Sequence, residues 1–121
     1  MYEGLMLAGK YNMVCDQGST FERIIEIKDA EGVLFPLTGY SARMQIRSTI
    51  DSSTSLLELT SANGRISINS ALGTITVALT PALTAGLTKG GVYDLEIVKT
   101  SDGQVHKVLR GEFRLEKEVT R

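Results

Sequence analysis

The sequence predicts an all-β fold: an antiparallel sandwich of about seven to eight strands with one short helical turn. Three observations carry this. Apolar and polar residues alternate with a period of two along most of the chain. Turn residues recur every 8–12 positions or so, the spacing of a sandwich or small barrel. The 121 residues, 42% of them apolar and 22% charged, suit one small domain with a single core.

The strands read off in order. Leu5 to Val14 is interrupted by Gly9 and reads as a weak first strand or as an arm. Phe21 to Lys28 carries Ile24, Ile25 and Ile27, so both of its faces are partly apolar. Such a strand is central in its sheet, or turns its second face to a partner. Ala42 to Arg47 sends Ala42, Met44 and Ile46 to one side and Arg43, Gln45 and Arg47 to the other. Leu56 to Leu59 is a short edge strand. Arg65 to Asn69 and Thr74 to Leu79 alternate in the same way, with Ile66, Ile68, Ile75, Val77 and Leu79 inward. Tyr93, Leu95 and Ile97 point inward from the next strand. In the last one Arg110, Glu112, Arg114 and Glu116 alternate with Gly111, Phe113 and Leu115. The expected core adds Phe21, Ile25, Ile27, Leu37 and Leu83 to these inward residues.

Turn chemistry separates the strands. Asp29-Ala30-Glu31-Gly32, Asn63-Gly64 and Ser101-Asp102-Gly103 supply the residues that tolerate positive φ. Gly39 and Gly73 are expected where a side chain would collide. Thr80 caps a helical turn, Pro81 opens it and Gly86 ends it, with Leu83 and Leu87 on one face. The Ser/Thr-rich stretch from Ser48 to Ser55 has no apolar period and reads as a mobile loop, ordered only when something contacts it.

Composition narrows the function. The 13 Lys/Arg balance 14 Asp/Glu, so no charge excess points to nucleic acid or to an anionic membrane. No apolar run approaches the roughly 20 residues of a membrane-spanning helix, and the first residues lack the pattern of a signal peptide. One Cys and one His cannot form a disulfide or a Cys/His zinc site within the chain. Cys15 reads as a small, half-buried strand residue and His106 as a surface or packing residue. No nucleophile elbow, P-loop, dinucleotide fingerprint or zinc-protease motif is present. Asp94 and Glu96, about 7 Å apart on one strand face, have the spacing of a glycosidase pair or a Ca²⁺ site. Their more ordinary role is an outward polar face paired to Arg110 or Arg114 on the next strand. No catalytic, metal or cofactor site is therefore assigned.

Two groups of residues suit contacts with other chains. Arg43 and Arg47 share a strand face that suits an acidic partner, although a solvated face is the more ordinary role of such a pair. The first 14 residues, with Tyr2, Leu5, Met6 and Tyr11, are strongly apolar for a terminus, and suit burial against a neighbour or pairing within their own sandwich.

Several landmarks together are recognisable: Gln17 to Phe21, Asp29 to Gly32, the run Leu37-Thr38-Gly39-Tyr40-Ser41-Ala42-Arg43-Met44-Gln45-Ile46-Arg47, Gly73 to Val77, Tyr93 to Ile97, Asp102-Gly103, Gly111 to Phe113, and Glu118 to Arg121. From about residue 15 to 121 the chain resembles small tailed-phage virion proteins with an immunoglobulin-like β-sandwich. It is similar to the N-terminal domains that anchor upper-baseplate and tail-fibre proteins. The Leu37–Arg47 run is its most specific part. The resemblance implies an arm or first strand at 1–14 and a sandwich at 15–121. It implies a non-enzymatic structural protein of the virion, assembled in the host cytoplasm. Its partners would be other virion proteins of the tail, baseplate, neck or capsid, in a symmetric oligomeric assembly. Contacts are expected at Tyr2, Leu5, Met6, Tyr11, Arg43, Arg47 and Arg121. The alternatives are a head-decoration protein and a carbohydrate-binding or adhesion module, which would need exposed aromatic side chains.

Overall fold

A computed structural model describes residues 9–29 and 31–120. Its elements are β1 (Gly9–Lys10), β2 (Met13–Asp16), β3 (Phe21–Glu26), β4 (Tyr40–Arg47), β5 (Leu57–Thr60), β6 (Ile66–Asn69), β7 (Thr74–Leu79), α1 (Pro81–Ala85), β8 (Gly91–Lys99) and β9 (Val105–Glu116). They form two sheets. The larger runs β1-β9-β8-β4-β5, with β2 also on β9, and the smaller runs β3-β7-β6.

Alternation builds the core between them. Met44 faces Leu95 and Ile46 faces Tyr93 across the β4–β8 ladder, and all four are buried. Phe21, Ile66, Ile75, Val77 and Leu79 close the core from the smaller sheet. The Phe21 and Phe113 rings join the layers, 5.5 Å apart and tilted as aromatic pairs prefer. Each fully buried side chain of this kind contributes about 1.5–3 kcal/mol of burial energy.

The core differs from the expected one at its margins. Ile25, Ile68, Leu83 and Leu115 are only partly buried, whereas Met13, Cys15, Phe35, Ala42, Leu59, Leu87 and Val108 are fully inside. Val108 falls where the β8–β9 register shifts between Leu95 and Glu96, which breaks the alternation.

There are nine strands among the described residues, and the sandwich is not wholly antiparallel. Both β1 and β2 run parallel to β9, with Gly9 opposite Leu109 and Met13 opposite Phe113. The interruption falls at Tyr11–Asn12, not at Gly9. There the chain crosses close over β9: Tyr11 N donates to Arg110 O, and Glu112 N donates to Asn12 Oδ1. A β-carbon on Gly111 would lie 2.3 Å from the Tyr11 carbonyl oxygen, so only glycine admits this crossing. Val14 and Cys15 lie in one strand, so the fold continues unbroken across that pair.

Gly39 is a correction of another kind. It sits at φ +82° with open space where a β-carbon would be, so backbone conformation and not collision calls for glycine. At Gly73 (φ +64°) the Leu34 side chain also crowds the position.

The helical turn forms as its caps dictate. The Thr80 hydroxyl accepts from Leu83 N at 3.2 Å, Pro81 opens the turn and Gly86 closes it. Thr84 makes it structural. Its buried hydroxyl accepts from Gly18 N at 3.0 Å and donates to Ser19 O at 2.8 Å. Gln17 ties the same end together: Nε2 donates to Leu87 O at 2.7 Å, and Oε1 accepts from Glu118 N at 2.9 Å.

Candidate interaction surface

The outer face of the larger sheet carries a lattice of opposite charges. Arg43 Nε donates to Glu96 Oε1 at 2.8 Å, directly across the β4–β8 ladder. Asp94 pairs with Lys107 at 3.1 Å, diagonally across β8–β9. The outward facing of Asp94 and Glu96 is as expected, but their partners are Lys107 and Arg43 instead of Arg110 or Arg114. Arg110 does stand opposite Asp94 in register, while Arg114 lies beyond the start of β8, which begins with Gly91 opposite Phe113. The Glu96–Arg43 and Asp94–Lys107 pairs are solvent-accessible and worth about 0–1 kcal/mol each. They pattern the face more than they hold it.

Arg47 has a different task from Arg43. Its Nη1 donates to Ser52 O at 2.7 Å and its Nη2 to Gln45 Oε1 at 2.7 Å. Gln45 Nε2 in turn donates to Glu58 Oε2 at 3.0 Å, so the chain Arg47–Gln45–Glu58 crosses from β4 to β5. This corrects the reading of Ser48 to Ser55 as a loop that needs an outside contact. Ser52 orders it internally: its Oγ lies 2.7 Å from Ser48 Oγ and accepts from Thr49 N, and Ser52 N donates to Thr49 O. Short hydroxyl side chains substitute here for a backbone ladder. Ile50, at the tip, is 84% exposed.

The residues with latent chemistry lie in packing roles. Cys15 is buried rather than half-buried, and burial first, then the neighbouring Asp16 carboxylate, pushes its thiol up to about 11 against the counteracting Arg23. Such a thiol is protonated and inert at neutral pH. Burial likewise raises the Tyr93 phenol well above its usual value, and its hydroxyl donates to the Tyr11 carbonyl. His106 packs against the Phe35 and Tyr40 rings, at 6.2 and 6.3 Å. Among the described residues no group of three or more His, Cys, Asp or Glu side chains could hold a metal ion.

Of the residues expected to meet partners, Tyr2, Leu5, Met6 and Arg121 lie outside the described residues. Tyr11 is 41% exposed, yet its backbone belongs to the fold through Arg110 and Tyr93. Arg43 is exposed, and Arg47 is half-buried under its loop.

The smaller sheet presents a second surface. Among the described residues β3 is an edge strand, not a central one, and its outward residue Ile24 is 66% exposed. Ile24 and Leu72, itself 60% exposed, line one shallow groove floored by Thr74 and Thr76. Double-sided apolarity in Phe21–Lys28 was the sequence signal for this face. Nothing in the sequence pattern marked Leu72, which sits in a turn.

No protein-family model matches the chain, and no curated protein matches it. A solved structure does. The NK cell receptor NKp44, described as a triggering partner in natural cytotoxicity, superposes with a TM-score of 0.53 over 91% of this chain and 99% of that one. The fold is an immunoglobulin-like sandwich. At 17% identity the likeness speaks for the fold alone. It includes none of the disulfide that joins the sheets in antibody domains, since this chain has a single cysteine.

Proposed function

We propose that this chain is a non-enzymatic structural protein of a tailed-phage virion, working at the tail, baseplate or neck through contacts with other virion proteins. The observation that carries the reading is the placement of the Leu37–Arg47 run, the most specific part of the resemblance. Most of it is β4, a strand interior to the larger sheet. Ala42, Met44 and Ile46 are core, while Arg43, Gln45 and Arg47 form the charged outer face. One segment therefore sets both the rigidity of the domain and the chemistry of its widest surface.

Such a surface suits assembly. A stiff sandwich with patterned charge gives register and orientation to a docking neighbour. Repetition in a ring multiplies a modest contact through symmetry and avidity. The apolar arm with Tyr2, Leu5 and Met6 supplies the second contact in this reading, and Arg43 supplies the cationic one. A sugar-binding role is less well supported, because Tyr11 is the exposed aromatic among the described residues and Phe21, Phe35, Tyr93 and Phe113 are core.

The test is co-sedimentation of the purified protein with isolated tails and with empty heads. Pelleting with tails supports the reading. Pelleting with heads alone makes the protein a head-decoration subunit, and pelleting with neither overturns both.

A further inference from the structure

Among the described residues the smaller sheet has an open flank. Antibody-type sandwiches place their first strand beside the second in this sheet. Here β1 and β2 go to β9 instead, and among the described residues β3 is left as an edge. Its register shows which groups are free. Ile27 N donates to Gly73 O, and Phe21, Arg23 and Ile25 stand opposite Leu79, Val77 and Ile75. Those odd-numbered residues bond to β7, which turns the N–H and C=O of Ile24 and Glu26 to the open side. The side chains of Glu22, Ile24 and Glu26 are all exposed on the outer face. The β5 edge of the larger sheet is treated differently. On β5 the outward Glu58 carbonyl accepts from Asn63 Nδ2 and Arg65 Nη1, and the outward Thr60 N–H donates to Asn63 Oδ1. Natural edges are commonly guarded in this way. On β3, among the described residues, the guard reaches only Glu22, whose carbonyl accepts from Arg23 Nη1.

The open edge reads acidic–apolar–acidic at every second position. The segment after β9 reads Lys117, Val119, Arg121 at the same spacing: basic–apolar–basic. We propose that residues 117–121 of one copy add to the β3 edge of a second copy as an antiparallel strand, linking subunits head to tail. The inference deepens the assembly reading above by naming the partner as another copy of this chain. In this register Lys117 stands opposite Glu26, Val119 opposite Ile24 and Arg121 opposite Glu22.

Three features fit. Directly opposed cross-strand pairs of opposite charge and of apolar residues are the stabilising ones. Val119 is 93% exposed and Ile24 66%, so the contact covers apolar surface that one copy alone leaves wet. Pairing through residues 117, 119 and 121 directs the N–H of Glu118 away from β3, so its bond to Gln17 Oε1 is retained. That bond also excludes pairing within one copy. It holds residue 118 beside Gln17, before the start of β3, whereas the register sets it opposite Ile25, roughly 13 Å further along the strand than Phe21. Glu26 already meets Lys28 at 3.3 Å, but both are about half exposed, and a carboxylate has lone pairs for a second cation. A head-to-tail contact of this kind closes into a ring or continues as a filament, depending on the rotation per subunit.

The experiment is sedimentation velocity and light scattering on the full chain across a concentration series, with Glu26→Lys, Lys117→Glu and the double variant. Both positions of change are exposed, so the fold is kept, and a thermal melt verifies it. Self-association is expected for the native chain. Each single variant should raise its dissociation constant roughly threefold to tenfold, and the double variant should restore it. As a second readout, Ile24→Cys and Val119→Cys proteins are mixed under mild oxidation. A disulfide-linked pair should form only in the mixture, because Cys15 is buried in both. A native chain that stays monomeric, or association indifferent to both charge changes, overturns the proposal. Neither result touches the virion reading, which is tested separately by co-sedimentation with tails and heads.

Discussion

The Tyr93 hydroxyl donates a hydrogen bond to the carbonyl oxygen of Tyr11, 82 residues away in sequence. This contact fastens the β1–β2 crossing to the middle of the larger sheet. Replacing Tyr93 with Phe leaves that carbonyl without its donor while keeping the ring in place. A loss of about 1–3 kcal/mol is expected, read by urea unfolding. Amide exchange should quicken in residues 9–16 before it does in β4 or β8.

Gly111 makes the same crossing possible, and Gly39 offers the contrast. Gly111→Ala forces a methyl group into the Tyr11 backbone and should cost about 1–3 kcal/mol or more. Gly39→Ala meets no atom, and should cost only the roughly 1–2 kcal/mol of holding alanine at positive φ. Denaturation midpoints of the two variants measure the order; a reversed order contradicts the close approach.

Thr84→Val tests the polar knot under the helical turn. The isostere keeps the volume but strips Gly18 N and Ser19 O of their buried partner. We expect a loss of about 2–3 kcal/mol, larger than for a surface Thr→Val change, by thermal or urea unfolding.

Stability should fall at alkaline pH. Cys15 and Tyr93 both have folded-state values raised by burial, Cys15 from 9.0 to about 11. Above pH 9 the unfolded chain gives up the Cys15 proton that the folded chain keeps, so the unfolded state gains. The contribution is intact below pH 9 and is lost as pH rises towards 11. Unfolding at pH 8, 9, 10 and 11 reads the trend, and Cys15→Ala should flatten part of it. Thiol reagents should label Cys15 only in denaturant.

How much of this was legible in the sequence depends on periodicity. Met44, Leu95 and Val77 were readable because a strand buries every second residue, and Thr80-Pro81 was readable because caps are chemical. Met13 and Cys15 were not, since a short strand parallel to β9 has no turn to announce it and its alternation spans four residues. Val108 escaped because a register shift breaks the period. The Ser48–Ser55 loop looked unsupported because its order comes from Ser52 and Arg47 side chains, which no period encodes. On the surface, Arg43 and the two-sided apolarity of β3 were visible, but the partners of Asp94 and Glu96 depended on cross-strand register, which one strand's sequence does not contain.

Tyr11 and Asn12 belong to the fold, so the arm is best tested by removing residues 1–8. On the virion proposal, the shortened protein should melt within a few degrees of the full chain yet no longer incorporate into particles. A variant that still incorporates normally would discard the arm as a contact.

The proposed role has this sandwich held by proteins of a phage virion. Quantitative mass spectrometry of purified particles tests it most directly. The prediction is that the chain is present in a fixed copy number that is a multiple of the symmetry of a tail, baseplate or neck ring. Intact particles that lack it, with the protein recovered only outside them, would contradict the claim.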